Sequence, residues 1–548
     1  MSSATEIIIG LRIGQSYSSI AIINKDKRVD CIANEDGERQ IPTMVAFSGD
    51  EELTGTQAKV QLLSNSKNTV MQFRNFIGKS FADCKSEVSR GAAQLIDKDG
   101  EPAYSVEFKE QETIFTVKEI TTKYIASLRE SAENFLGQPV AGSVLAIPTY
   151  FDDSQREALR AATENAGLRV LQLINEPTAA ALSYEIGQQP TSPNRYHDST
   201  IVILDLGSDS FDVTAMSIRS GMFTILGTKH DANLGGFAFD ELLANHFASE
   251  FKRKTKIDVL QNKRAMVKLR SAVEAAKKTL SSNSTAPCSI ESLAEGVDFH
   301  GTINRTRFEI MANRLFNRIS EIIIEVLKSN ELESQLINEV ILVGGASRIP
   351  KFQSKIREIF TNPDTVIRQE LEPDEIVAYG CALQCSLIAD LNVREISENF
   401  DTTVTSTPHL SKPIGTVNAR EKFVTIIPEN TPLPVRRMYT FSNVSDDQKE
   451  IYFSIWEGAY KSTSMNSEES QVVNDDEPNN EDSPSPLAPI IEPEKLLAEL
   501  VMNNLPPKKS GELKIEFTIE IDVSSKCTII AKESTIDNAI KLTIDGNS

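Results

Sequence analysis

IVILDLGSDSFDVT, Ile201 to Thr214, is an apolar run that ends on a carboxylate, turns at a glycine and then resumes an extended pattern. Ile201, Val202, Ile203 and Leu204 read as a buried strand with Asp205 at its end. Gly207 permits a tight turn, and Phe211 and Val213 restart the alternation of a returning strand. Such a strand–turn–strand lines up backbone N–H groups able to cradle a phosphate, with Asp205 in reach of a metal bound to it. Plain hairpins carry the same pattern, so this stretch alone leaves both readings open.

A second copy near the start changes the balance. IIIGLRIGQSYSSIAI, Ile7 to Ile22, aligns as strand, turn and returning strand. Gly14 matches Gly207, Ser16 matches Asp209, Tyr17 matches Ser210 and Ile20 matches Val213. Two phosphate hairpins so far apart predict two similar lobes facing one nucleotide across a cleft. The repeat fails at one position: Arg12 stands where the second copy has Asp205.

With 548 residues, the chain has room for several domains and a large core. Its formal charge of −21 argues against direct binding to nucleic acid or to an anionic membrane, because phosphate surfaces repel so acidic a chain. The six cysteines form no CxxC pair and there are only five histidines, so a zinc site is not expected, and no residue is assigned as a metal ligand. Cys381 and Cys385, at i, i+4 spacing, read as small core residues, and scattered free thiols fit a reducing compartment. MSSATEIIIG has neither a basic n-region nor a long apolar run, and no 18-residue apolar segment follows, so a cytoplasmic protein is expected.

Along the chain, Ser64–Ser80 reads as a partly buried turn or short helix. Arg74 within it either points into the cleft or, more simply, is solvated. Ile120, Tyr124, Ile125, Leu128 and Phe135 recur at helical period over Val117–Leu136, with Gly137 as the stop. A β-α-β-α run follows. VLAIP is a strand, Asp153 or Ser154 caps a helix ending at Gly167, LRVLQLI is a strand, and NEPTAAALSY opens a helix with Pro177 in its first turn. Glu176 stands at that strand-to-helix junction, where ligands of open α/β sheets gather, although a first-turn acid also simply serves the helix dipole.

Residues 187–199 read as a crossing between lobes. The Gly235–Gly236 pair leads into an amphipathic helix, and Asn262–Ser281 forms another that groups Glu274, Lys277 and Lys278, ordinarily a surface ion-pair cluster. INEVILVGGASRIPKF is a strand, a turn at Gly344–Gly345 and a helix opening near Pro350, suited to close approach of a flat ligand. LEPDEIVAYGCALQCSLI closes the second lobe with a helix. From about Asn392 the periodicity shifts to short alternating segments (FVTII, YTFSN, IYFSIWEG, LKIEFTIEIDV, CTIIAKE, IKLTID), the pattern of a small antiparallel β-sandwich. Residues 466–494 read as a disordered acidic insertion.

INEPTAAAL, VGGASRIPKF, EPDEIVAYG, NLGG-x-x-FD, AAKKTLSS and EGVDFHGTINRTRFE resemble segments of the DnaK-like, seventy-kilodalton heat-shock chaperones in the order that family has them. The likeness covers nearly the whole chain. It implies an α/β, actin/hexokinase-like two-lobed ATPase domain over residues 1–391, with lobes of about 1–190 and 191–391. A linker over 392–406 and a truncated peptide-binding β-sandwich over 407–548, without a helical lid, would follow. It further implies ATP between the lobes, with Gly14, Gln15, Ser16 and Tyr17 and Gly207, Ser208, Asp209 and Ser210 at the phosphates beside Gly235 and Gly236. Glu274, Lys277, Lys278, Ser281, Gly344, Gly345, Ser347 and Arg348 would surround adenosine, with Asp374 nearby.

The departures from the family pattern are as specific. Arg12 replaces the aspartate of the first hairpin, Gln15–Ser16 replace a threonine pair, and Arg74 replaces the catalytic lysine, which is not a conservative swap. Asp209 stands among what are normally glycines, and Phe237–Ala238 replace two acids, whereas Glu176, Asp205 and Asp212 are retained. These changes predict ATP binding with little dependence on Mg²⁺ and little hydrolysis, since hydrolysis needs a metal to neutralise charge and a positioned water. The linker NVREISENFDTTVTS is polar where the family has an apolar one.

Among family members these features are most similar to the lidless Ssz-type branch of the fungal ribosome-associated complex. That resemblance implies a stable heterodimer with a J-domain protein (zuotin), which would supply the basic ribosome contacts, and activation of a separate ribosome-bound chaperone acting on nascent chains. An ordinary ATP-hydrolysing chaperone without a lid and a nucleotide-exchange partner are the competing expectations.

Overall fold

The computed structural model describes residues 7–24, 26, 28–84, 93–185, 190–192, 195–196, 198–219, 221–388, 406–418, 420–460, 491–533 and 538–544. The chain divides into two compact units, Met1–Ser406 and Thr407–Ser548. All but one residue of the 392–406 linker, and residues 466–490 of the acidic insertion, lie outside the described residues.

The first unit is built on two sheets of one design. In the first, Val29–Cys31, Tyr17–Ile23, Ile7–Ile13, Val140–Ile147 and Arg169–Asn175 are successive neighbours, with Ile41–Pro42 also pairing to Tyr17–Ile23. In the second the order is Met222–Asp231, Phe211–Arg219, Ser199–Leu206, Glu339–Val343 and Val366–Arg368. Each sheet begins with two antiparallel pairings and continues with two parallel ones. The internal repeat read from the two hairpins therefore extends to whole sheets. Register also makes the mismatch concrete: Arg12 faces Ser19 across its hairpin, whereas Asp205 faces Asp212.

Each sheet has its own apolar layer. One joins Ile9, Leu11, Phe73 and Tyr124, the other Leu204, Phe211, Phe247 and Phe316. A third layer holds the lobes together. Val144 and Ala146 of the first sheet and Ile201, Ile203 and Ile341 of the second pack on Ala179–Ala181 and on Ile376, Val377 and Cys381. These come from two short helices, Glu176–Ser183 and Ile376–Ile388. The second, expected to close the second lobe, packs on the first sheet and on Glu176–Ser183 as well. Its run of small residues is the reason: a Cβ on Gly10 would meet the Ala382 nitrogen at 2.3 Å, and one on Gly380 would meet the Ala179 carbonyl oxygen at 1.8 Å.

The helix Val117–Leu136 has the predicted bounds, with Gly137 left-handed at its end. Thr116 caps it reciprocally with Glu119, whose backbone N–H donates to Thr116 Oγ1 while Thr116 N–H donates to Glu119 Oε2. Thr116→Ala is expected to destabilise the first unit by about 1 kcal/mol, read as a lower urea midpoint; an unchanged midpoint contradicts this. The next helix, Asp153–Asn165, is capped by Asp152 and not by Asp153 or Ser154, because Asp152 has the extended backbone and accepts from the Gln155 N–H. Among the described residues no helix is long and apolar enough to cross a membrane.

The second unit is a pair of four-stranded antiparallel sheets. Phe441, Phe453 and Phe517 meet in its core, with ring centroids 5.0–5.6 Å apart. Residues 491–494, read as part of the insertion, belong to the strand Ile491–Met502, which pairs along its length with Ile451–Tyr460. EPEKLLAELVM carries helix-favouring residues, and pairing overrides that preference. Among the described residues no helix follows Ile388.

Candidate nucleotide site

The ends of the two hairpins face each other across a cleft of about 820 Å³, within the range of about 300–1,000 Å³ that small-molecule sites occupy. The second turn is braced from behind by the start of the helix Gly236–Thr255. The Gly236 N–H donates to the Gly207 carbonyl and the Phe237 N–H to the Ser208 carbonyl, both at 2.8 Å. Gly235 must lack a side chain here, since a Cβ would lie 2.4 Å from the Asp209 backbone. On the first turn, Thr43 Oγ1 donates to the Gly14 carbonyl at 2.9 Å.

Arg12 lies between two carboxylates. Its Nη2 is 2.9 Å from Asp205 Oδ2, and its Nε is 3.4 Å from Glu176 Oε1. Burial works against its charge, but Glu176 and Asp205 outweigh burial and hold the guanidinium above its ordinary value. Burial pushes the Asp205 carboxyl up, against the pull of Arg12 and with the help of the Glu176 and Asp212 carboxylates. Arg74 is not solvated. It is 5 % exposed, lies 3.4 Å from Glu176, donates to the Ile13 carbonyl at 3.1 Å and reaches the Tyr150 hydroxyl at 2.6 Å.

The other carboxylates are engaged as well. Asp212 accepts from the Ser210 hydroxyl at 2.8 Å and sits 2.7 Å from His230 Nδ1, and the His230 ring stacks on Tyr150 at 3.7 Å. Asp209 accepts from Ser208 at 3.0 Å and from Gln72 of the opposite lobe at 2.7 Å.

At the mouth, Tyr17 turns away from the phosphate turn and donates to Glu274 at 3.0 Å. Lys59 lies 3.5 Å and Lys278 2.8 Å from the same carboxylate. Burial opposes the Glu274 charge, but Lys59 and Lys278 outweigh it and hold the carboxyl at about 2. A carboxyl depressed in the folded state contributes its stability above the unfolded value and loses it as pH falls through the folded one, so this cross-cleft contact survives mild acid.

The cleft brings together most of the residues read from sequence: Arg12, Gly14, Gln15, Ser16, Tyr17, Arg74, Glu176, Asp205, Gly207–Ser210, Asp212, Gly236, Glu274, Lys277, Lys278, Ser281, Gly344, Gly345, Arg348 and Asp374 all line it. Gly235, read at the phosphates, does not line the cleft but packs against the Asp209 backbone, and besides Tyr17 three more residues behave differently from their reading. Lys277 leaves the Glu274 cluster to pair with Asp240 at 2.7 Å and with the Gly236 carbonyl at 3.0 Å. Ser347 does not line the cleft; it is buried, and its hydroxyl donates to the Gly344 carbonyl, holding the glycine turn. Gln15 turns from the phosphate position, donating to the Gln72 carbonyl at 3.0 Å and accepting from the Asn75 N–H at 3.3 Å. Lys59, Gln72, Tyr150 and His230 carry no motif that singles them out in the sequence; only a histidine ending a strand opposite Asp212 offers a signal.

The site fits a phosphorylated nucleotide. Among the described residues the Ser16 hydroxyl on the first turn is buried without a hydrogen-bond partner, and the cleft carries Arg and Lys side chains on both lobes. Between Asp205 and Glu176 the position a divalent metal would take is filled by the Arg12 cation. Among the described residues no group of three or more His, Cys, Asp or Glu is placed to hold one.

Two sheets of one strand order, each entering a cleft through a hairpin turn and joined by crossing helices, define an α/β nucleotide-binding architecture, here followed by an all-β unit. The chain belongs to the Hsp70 family of chaperones, whose family model, described as Hsp70 protein, matches residues 8–474. It is 35% identical to a heat shock protein 70 homolog of Schizosaccharomyces pombe, over 97% of this chain and 94% of that protein. It is also 35% identical to the ribosome-associated complex subunit SSZ1 of Saccharomyces cerevisiae, over 97% of this chain and 99% of that protein. To a ribosome-associated molecular chaperone of Eremothecium gossypii it is 34% identical, over 98% of this chain and 81% of that protein.

Proposed function

We propose that this chain is an ATP-binding, hydrolysis-poor Hsp70-family co-chaperone that forms a stable complex with a J-domain protein of the zuotin type at the ribosome and supports folding of nascent chains by activating another, ribosome-bound chaperone. The observation that carries the reading is Arg12, placed between Asp205 and Glu176. Backbone N–H groups of the two turns and the Ser16 hydroxyl hold phosphate oxygens. Arg12 supplies there a fixed positive charge that needs no metal. Hydrolysis would require a base or a positioned water beside the terminal phosphate. Asp205 and Glu176 are paired to guanidiniums, Asp212 to Ser210 and His230, and Asp209 to Ser208 and Gln72. Each of the four carboxylates at the base of the cleft thus has a partner of its own, and Asp205 Oδ1 is the one of Asp205's two oxygens left without one among the described residues.

The partner and the ribosome enter from similarity to SSZ1 over nearly the full length of both chains, and from charge. A chain of net charge −21 reaches ribosomal RNA through a basic partner and not directly. The retained grouping of Glu176, Asp205 and Asp212 favours the second reading, a conventional hydrolysing chaperone.

Gel filtration of this chain with a zuotin-type J-domain protein separates the two readings when combined with an ATPase assay. The expected result is a stable heterodimer that stimulates a ribosome-bound Hsp70 while this chain alone turns over no ATP. Turnover by this chain at the rate of ordinary family members, raised by the J-domain protein without stable complex formation, contradicts the proposal.

A further inference from the structure

Gln72 lies outside the residues that line the cleft, yet it links both phosphate turns. It follows the strand Thr69–Met71 and precedes the 3-10 turn Arg74–Phe76 that positions Arg74. Its backbone is left-handed, with φ of 58°, a conformation that glutamine rarely adopts and that must be held by its surroundings. The carbonyl of Gln72 accepts from Gln15 on the first turn at 3.0 Å, and its side-chain amide donates to Asp209 on the second turn at 2.7 Å.

Asp209 cannot drift to follow a moving first lobe. Ser208 holds its other carboxylate oxygen at 3.0 Å, Gly235 is packed against its backbone, and the Gly236–Thr255 helix anchors Gly207 and Ser208. Gln15–Gln72–Asp209 is therefore a chain of two hydrogen bonds, one end on each lobe, that ties the two turns together. Separating the lobes must break the Gln72–Asp209 link, a bond to a charged acceptor and so among the stronger kind.

We propose that Gln72 and Asp209 are positioning residues of the phosphate site, a latch that fixes the two turns at their nucleotide-binding spacing and sets the rate at which nucleotide leaves. The carboxylate that looks hostile to phosphate is, in this arrangement, committed to the opposite lobe. The inference rests on the nucleotide-binding reading of the cleft, but the latch itself exists without nucleotide.

The test is a charge swap read two ways in the full chain. Gln72→Glu sets two carboxylates against each other, and Asp209→Asn added to it restores a donor–acceptor pair with the roles exchanged. Release of a fluorescent ATP analogue should be at least about tenfold faster for Gln72→Glu and return to within about threefold of the parent rate in the double variant. Hydrogen exchange of the nucleotide-free chain should show faster exchange at both turns in the single variant and recovery in the double. Unchanged release and exchange in Gln72→Glu, or a double variant no slower than the single, overturns the latch. A parent chain that binds no ATP analogue while the exchange pattern behaves as described leaves the latch standing and overturns the nucleotide reading alone.

Discussion

On the proposed reading, replacing Arg12 with aspartate is expected to turn a site whose fixed cation is a side chain into one that depends on Mg²⁺. The change removes the cation that touches Asp205 and leaves Glu176 with Arg74. It also adds a carboxylate to a buried group that already holds Glu176, Asp205 and Asp212. Breaking a buried pair by removing one partner costs about 3–5 kcal/mol, so Arg12→Asp in EDTA should lose stability on that scale in urea denaturation. Part of the loss should return with Mg²⁺ and ATP together.

The deficit should also shrink with acid. Burial holds the Asp205 carboxyl up, so between its unfolded value of about 4 and its folded value the folded chain binds the proton more readily. Stability therefore falls as pH rises through that window, more steeply once Arg12 no longer compensates. An Arg12→Asp chain as stable as the parent in EDTA, with ATP affinity unchanged by Mg²⁺, contradicts this.

Gly380→Val should abolish folding of the first unit. The Cβ alone would lie 1.8 Å from the Ala179 carbonyl oxygen and 2.4 Å from its carbonyl carbon, both backbone atoms that no rotamer can move. The helix carrying Gly380 has no room to retreat, because its other side meets Gly10, where the Ala382 nitrogen occupies the place of a Cβ. Overpacking in a core ordinarily costs about 1–3 kcal/mol; a backbone collision between two confined helices belongs beyond that range. Soluble yield and urea midpoint check this, and a soluble variant with the parent midpoint would show that the helices can part.

Both variants act on features with different visibility in the sequence. The hairpins and their repeat are local patterns, apolar alternation broken by glycine, and the equivalence of Gly14 with Gly207 holds in the structure as two sheets of matching strand order. The helix Val117–Leu136 is legible to its ends because period, capping box and Gly137 all agree. Contacts between distant segments are not legible. Nothing near Lys277 says that its partner is Asp240, 37 residues away, rather than the nearby Glu274. Gln72 carries no signal at all, since its role depends on a left-handed backbone and on a carboxylate 137 residues further on. Arg74 reads as solvated because an arginine among Asn, Ser and Lys is polar company in sequence, whereas in space it is enclosed by Ile13, Tyr150 and Glu176. The strand Ile491–Met502 is hidden for the opposite reason: its residues favour a helix, and only pairing with Ile451–Tyr460 makes it extended.

The most direct measurement is the nucleotide content of the purified chain before and after EDTA, followed over time for conversion to ADP. A site whose fixed cation is Arg12 should retain ATP through purification and chelation, with no ADP appearing. Loss of the nucleotide on chelation, or prompt conversion to ADP once Mg²⁺ is supplied, would contradict it and give the lead to a conventional hydrolysing chaperone.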